Sequence, residues 1–151
     1  MHLRDVEKKD HAQILALARQ LALHVDDPPP DFPAPQFLDE LFGESPSCAM
    51  LVVEDAGRLV GFAAFGRRFD VHTACPSIFL SDLVVDADMR GKGIGKRLLE
   101  GVREHARRTG AQKIYFELWE RNDSARRFYA AQGALRVEDV AVCALDPGSR
   151  R

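Results

Sequence analysis

The sequence predicts one α/β domain, on three observations. Helix-spaced apolar patterns alternate with short β-rich runs. The 151 residues, 46% of them hydrophobic, are enough to bury a proper core. No internal repeat, low-complexity segment or linker divides the chain. The expected domain covers 1–151, with 146–151 as a frayed tail.

The elements follow in order. Residues 2–6 form a short first strand. Asp10 reads as an N-cap with Gln13 as its capping-box partner, and Ile14, Leu15, Leu17, Ala18, Leu21, Ala22 and Val25 follow at helical spacing. Pro28-Pro29-Pro30 ends that helix, because proline lacks an N–H and restricts its predecessor. Gln36 to Phe42 forms a short second helix. Cys48 to Glu54 and Leu59 to Phe65 make a hairpin across Asp55-Ala56-Gly57. Arg67 to Pro76 reads as a polar connection, and Ile78 to Val85 as the next strand. A helix from Gly93 carries Ile94, Leu98, Leu99, Val102 and Ala106 on one face and stops at Gly110. Lys113 to Trp119 is a strand. Asn122 caps a helix that ends by Gly133. Leu135, Val137, Val140, Val142 and Leu145 predict one or two closing strands.

Totals narrow the function. The 21 basic and 23 acidic side chains give a net charge of −2, which speaks against a nucleic-acid partner. The three cysteines, Cys48, Cys75 and Cys143, have neither metal-site nor disulfide-framework spacing, so no metal site is expected and free thiols in a reducing compartment are. The charged N-terminus shows no signal peptide, and no apolar run approaches the roughly 20 residues needed to span a bilayer. A cytoplasmic protein without a membrane partner is expected.

Chemistry concentrates in Leu83–Leu99: an apolar strand end, a polar turn, then glycines opening a basic helix. Such a layout aims backbone N–H groups and the positive end of a helix dipole at one point, which suits an anion, above all a phosphate. A Walker P-loop ending at Gly95-Lys96 needs glycine at 90 and a hydroxyl at 97, but the chain has Arg90 and Arg97. A dinucleotide fingerprint from Gly91 needs glycine at 96, where Lys96 stands. The remaining pattern, Arg-x-x-Gly-x-Gly at Arg90, Gly93 and Gly95, resembles the acetyl-CoA pyrophosphate loop of the GNAT N-acetyltransferases. Asn122, Ala125, Phe128, Tyr129 and Gly133 resemble that family's second signature, in the same order along the chain. Leu21-Ala22, Leu41-Phe42, Gly61-Phe62-Ala63 and Leu80–Val85 look most like its diamine and polyamine (spermidine/spermine) branch.

The resemblance implies an α/β (α+β) fold. Its mixed, mostly antiparallel sheet of six or seven strands has splayed central strands and about four flanking helices. It implies acetyl-CoA as co-substrate. Main-chain groups of Leu83, Val84 and Val85 would face the pantetheine arm. Amides around Gly91, Lys92, Gly93, Ile94, Gly95 and Lys96 would hold the pyrophosphate, with charge from Arg90 and Lys92. Asn122, Ala125 and Phe128 complete the implied cofactor set, and Asn122 is at the same time an ordinary N-cap. Tyr129 is implied as the acid that protonates the leaving thiolate. A phenol of pKa about 10 suits a thiol of pKa about 8.5. The competing role for Tyr129 is packing beside Phe128.

The acceptor side departs from the branch. Where the polyamine enzymes carry Leu-Glu-Asp, this chain reads Leu80-Ser81-Asp82. Asp82 and Glu117 are the candidate bases, with structural hydrogen bonds or ion pairs as the alternative role. Asp26, Asp27, Ser81 and Asp82 are the candidate acceptor-binding residues, and a solvated loop is the other reading of Asp26 and Asp27. Phe32, Phe37 and Phe42 are expected to pack. The implied function is direct acetyl transfer to a primary amine of a small molecule, polyamine-like or amino-acid-like, with a homodimer as the implied assembly. The alternatives are a protein N-terminus, a lysine or an aminoglycoside as acceptor, or a CoA-binding sensor without chemistry.

Overall fold

In chain order, the computed structural model, which describes residues 1–148, forms β1 (His2–Asp5), α1 (His11–Val25), α2 (Ala34–Phe42), β2 (Ala49–Asp55), β3 (Arg58–Asp70), β4 (Cys75–Val85), α3 (Ile94–Thr109), β5 (Lys113–Phe116) and α4 (Asp123–Ala131). By contacts the chain divides into two units, Met1–Trp119 and Glu120–Arg151.

In the first unit the five strands form one sheet in sequence order. β1 to β4 pair antiparallel, and β5 joins β4 in parallel. Two apolar layers enclose the sheet. On one face Ile14 and Leu17 of α1 and Phe37 of α2 pack with Met50, Val52, Phe62, Ala64 and Val84. On the other lie Ile94, Leu98, Leu99, Val102 and Ala106, all buried, as the helical spacing of α3 requires. Truncating Leu98 to alanine would cost about 3 kcal/mol, the usual loss for a buried leucine. The expected packing role of Phe32, Phe37 and Phe42 holds, since Phe32 and Phe42 both lie in ring contact with Phe37.

Helix starts and stops follow the local chemistry with one exception. α1 ends where Asp26 turns left-handed (φ 62), two residues before Pro28. The hairpin turn at Ala56 and Gly57 has positive φ at both residues, which matches strand twist. Asp10, however, does not cap α1 with its side chain. Its carboxylate, 1% exposed, takes two hydrogen bonds from the Arg4 guanidinium at 2.8 and 3.1 Å and one from the Glu7 amide at 2.8 Å. A charged donor outcompetes a helix amide for a carboxylate. Gln13 instead accepts from the Leu59 amide at 2.8 Å, tying α1 to β3.

Strand lengths differ from the sequence reading in two places. The expected connection 67–76 is a hairpin whose strands run to Asp70 and from Cys75. Arg68 pairs with Asp70, and Ser77 donates to the Arg68 carbonyl, so polar side chains extend a ladder that hydropathy alone would end. β5 stops at Phe116 rather than Trp119, for a reason given below.

In the second unit, Asn122 Oδ1 accepts from the Ala125 amide at 3.0 Å and starts α4. Gly133 ends it with φ 81 and a 3.0 Å bond to the Ala130 carbonyl. The closing strands are absent among the described residues, so the sheet has five strands instead of six or seven. Leu135 (90%) and Leu145 (96%) are exposed, as are Val137, Val140 and Val142. Asp139 takes φ 60 in the middle of the run and breaks its extended alternation. With no apolar burial, nothing offsets the entropy of ordering a strand there. Of the expected frayed tail, 149–151 lie outside the described residues.

Candidate active site

The site begins with a bulge in β4. Ala64 pairs with Asp82, while the next residue, Phe65, pairs with Leu80, so Ser81 has no partner across the ladder. Strict alternation would put Leu80 and Asp82 on one face. The extra residue puts them on opposite faces instead: Leu80 beside Phe65, whose ring meets His105 of α3, and Asp82 beside Ala64 and Val84 on the α1/α2 side. Ser81 is exposed, and its hydroxyl donates to the Ala64 carbonyl at 3.1 Å, which secures the bulge.

The same bulge ends the pairing with β5. The parallel ladder runs from Ser77–Lys113 to Leu80–Phe116 and stops, while β4 continues to Val85 against β3 alone. Past Leu80, β4 has no ladder partner on its β5 side among the described residues. This is the splay the sequence led us to expect, and it shortens β5. Leu83, Val84 and Val85 lie along the opened edge, where an amide-bearing chain can complete the hydrogen bonding. Gly61 allows the close approach on the other edge, since a Cβ there would come 2.7 Å from the Val84 carbonyl oxygen.

β4 then passes through Asp86 into a one-turn 3-10 helix, Ala87–Met89, and the glycine loop. Gly91 and Gly93 have φ of 76 and 79, which L-residues with side chains rarely adopt. Nothing lies within 4 Å of a Cβ built on either, so their requirement is backbone conformation and open space above the loop. Gly93 accepts from the Arg97 amide at 3.0 Å as α3 begins. Ile94 is buried and pins the helix start, and Gly95 and Lys96 lie in its first turn, where amides have no partner in the helix. Arg90, Lys92 and Lys96 are exposed around this turn. Arg90 Nε makes a 3.5 Å bond to the Val85 carbonyl, and Lys92 Nζ lies 3.2 Å from the Met89 sulfur. Left-handed glycines, first-turn amides and three exposed cations fit a diphosphate.

The two carboxylates flanking the β4 end differ. Burial pushes the Asp82 carboxyl above the ordinary carboxylate range, with Ser81 pulling slightly the other way. Burial alone would also raise Asp86, but the Asp88 amide and the Arg58 guanidinium outweigh it and hold that carboxyl low. On the Asp82 side, burial raises the Cys48 thiol, and Glu40 and Asp82 add to the effect, which leaves Cys48 a poor nucleophile. Cys75 is buried and Cys143 exposed, and all three thiols are free.

The structure thus assembles Ser81 through Lys96 on one continuous strand, turn and helix start. Glu117 is exposed just beyond the end of β5. Asp26 and Asp27 are exposed at the end of α1, where Asp27 donates its amide to Ala22. In the second unit, Phe128 and Tyr129 are half-buried with their rings 5.0 Å apart, and Ala125 supplies the amide that Asn122 caps. The sequence reading passed over Asp86, Arg58 and Gln20. Asp86 had a local signal, an Asx residue two positions before an amide it can accept from. Its partners lie 28 and 66 positions away in sequence and had none.

The model of the acetyltransferase (GNAT) family matches residues 14–134. The chain belongs to that family. GNAT enzymes use acetyl-CoA as co-substrate. The spermine/spermidine N(1)-acetyltransferase of Bacillus subtilis (strain 168) is 32% identical over 80 residues, 51% of this chain and 53% of that protein. The N-alpha-acetyltransferase RimI of Mycobacterium tuberculosis is 32% identical over 119 residues, 74% of this chain and 65% of that protein. The chain therefore spans between half and two thirds of the length of these curated relatives. A solved aminoglycoside acetyltransferase from an uncultured soil metagenomic sample shares the fold, with a TM-score of 0.79 at 18% identity over 97% of this chain and 96% of that one. Among the described residues, no group of three or more His, Cys, Asp or Glu could hold a metal, and no helix is long and apolar enough to cross a membrane.

Proposed function

We propose that the protein is an N-acetyltransferase that moves the acetyl group of acetyl-CoA directly to a primary amine of a small molecule, polyamine-like or amino-acid-like. The observation that carries this is the run from the opened β4 edge into the left-handed glycine loop at the start of α3. The main chain of Leu83–Val85 would receive the pantetheine arm, and the amides of 91–96 would hold the diphosphate. Acetyl-CoA supplies the acyl group as a thioester. Asp82 is the base that takes the proton from the acceptor ammonium, directly or through a water, with Glu117 as the second candidate. Burial of Asp82 brings its proton affinity closer to the task than that of an exposed aspartate. Tyr129 is proposed on its motif as the acid that returns a proton to the departing thiolate. Going from ammonium to amide, the acceptor nitrogen gives up two protons, one through Asp82 to solvent and one as the tetrahedral adduct collapses. The thiolate takes one from Tyr129, which solvent restores, so each turnover releases the CoA thiol and one net proton.

Asn122, Ala125 and Phe128 complete the proposed cofactor set, and Asp26, Asp27 and Ser81 the acceptor set. The raised Cys48 thiol favours direct transfer over an acyl-enzyme. We take 1–151 as one acetyltransferase domain, supported by a family match that crosses both units, and propose a cytoplasmic homodimer. A second acceptor class, a peptide N-terminus, draws support from the likeness to RimI. Release of free CoA thiol across polyamines, amino acids, aminoglycosides and peptides tests the reading. The expected result is turnover with a small primary amine. Turnover only with peptides would favour the second class, and CoA binding with no turnover on any acceptor would indicate a sensor.

A further inference from the structure

Resting on the reading that residues 91–96 hold the pyrophosphate, we infer that Asp86 is a positioning residue for that loop, locked by Arg58 and Gln20. Asp86 is 3% exposed and is the last buried residue before the loop; the next buried one is Ile94. Between them the chain contributes two left-handed glycines and almost no buried surface. Such a segment has much conformational freedom, and ordering it on binding would subtract from affinity unless it is ordered beforehand. Ile94 pins one end by packing. Asp86 pins the other by hydrogen bonds from three directions.

Its amide donates to the Val60 carbonyl at 3.0 Å, continuing the tie to β3 beyond the ladder. Its Oδ1 accepts from the Asp88 amide at 3.0 Å, and its carbonyl accepts from the Met89 amide at 2.9 Å. Arg58, the first residue of β3, is paired with Oδ2. Gln20 of α1 lies close enough to the same carboxylate to help lower its pKa, and its Oε1 accepts from the Ala87 amide at 3.4 Å. The amides of residues 87, 88 and 89 are therefore all taken up by the protein. Amides offered to an anion begin after Met89, at the glycine turn and the first turn of α3. Asp86 thus sets where the anion site starts and keeps the 3-10 turn closed. It touches no substrate atom; it acts through the loop.

The test compares two acyl donors, acetyl-CoA and S-acetylpantetheine, which has the thioester arm but no diphosphate. Asp86→Ala should raise the KM for acetyl-CoA and the calorimetric Kd for CoA about tenfold, with kcat and kcat/KM for S-acetylpantetheine within about twofold. Asp86→Asn keeps an acceptor for the Asp88 amide and should lose about threefold or less. A merely structural role would lower turnover with both donors alike. That outcome, or unchanged CoA affinity in folded Asp86→Ala, overturns the inference. Should Asp86→Ala fail to fold, Arg58→Met and Gln20→Leu keep the carboxylate and read the same selectivity: a loss confined to acetyl-CoA supports the lock, and no selectivity overturns it. Wild-type protein that binds no CoA would instead overturn the reading of the loop itself.

Discussion

Asp82 and Asp86 stand on one strand end, four positions apart, and their surroundings push them in opposite directions. Asp86 is the more deeply buried, yet it is held ionised by an amide and a guanidinium. Asp82 is half-buried beside apolar Ala64 and Val84, and its carboxyl is pushed up. Burial alone does not decide a carboxylate's charge; the donors that reach it do. The carboxylate ahead of the glycine loop is accordingly tied down by hydrogen bonds. The proposed acceptor side has one carboxyl with a raised pKa at a bulge and two exposed acidic residues at the end of α1.

The largest effect should come from the proposed acid. Tyr129→Phe is expected to lower kcat about 100- to 10,000-fold, the usual range for a lost general acid, with CoA affinity preserved in calorimetry. Unchanged turnover with the best acceptor would remove Tyr129 from the chemistry. Next is the glycine turn. Gly93→Val combines a β-branched residue at φ 79 with a Cβ in the open space above the loop, and should weaken CoA binding about 100-fold or more. An intact titration isotherm would displace the pyrophosphate from this turn.

On the acceptor side, Asp82→Asn should cut kcat/KM for the amine about 30-fold without touching the Kd for CoA. In the wild type, kcat/KM for the amine should fall as pH drops through the raised Asp82 pKa, at a higher pH than an ordinary carboxylate would give. The stability signs differ. Because the folded Asp82 pKa is raised, its contribution is complete below the unfolded value of about 3.9 and lost as pH rises through the folded one. Asp82→Asn should therefore not lower Tm at pH 7. Asp86 is depressed, so its contribution is present above the unfolded value and lost as pH falls through the folded one. A thermal melt of Asp82→Asn that drops at neutral pH would refute this contrast. The smallest effect belongs to Asp26→Asn combined with Asp27→Asn. For exposed charges we expect a rise of about threefold in KM for a dicationic amine and none for a monoamine.

Much of this was legible in the sequence because it is local. Helix periodicity marked the buried face of α3 residue by residue, since one spacing serves both burial and hydrogen bonding. Gly93, Gly110, Gly133 and Asn122 marked element ends because caps depend on neighbouring amides. The glycine loop is such a local object, and its order relative to Asn122 and Tyr129 pointed to the family. Tertiary structure decided the rest. The bulge at Ser81 turns Asp82 to the α1/α2 face where β5 stops at Phe116, and it exists only as a mismatch between two strands. Arg4 took Asp10 from the helix it was expected to cap, and Arg58 and Gln20 took up Asp86, because long side chains bring charge from positions that sequence distance hides. The apolar run from Leu135 shows the converse: an alternating pattern states a preference, and only a partner surface turns it into a strand.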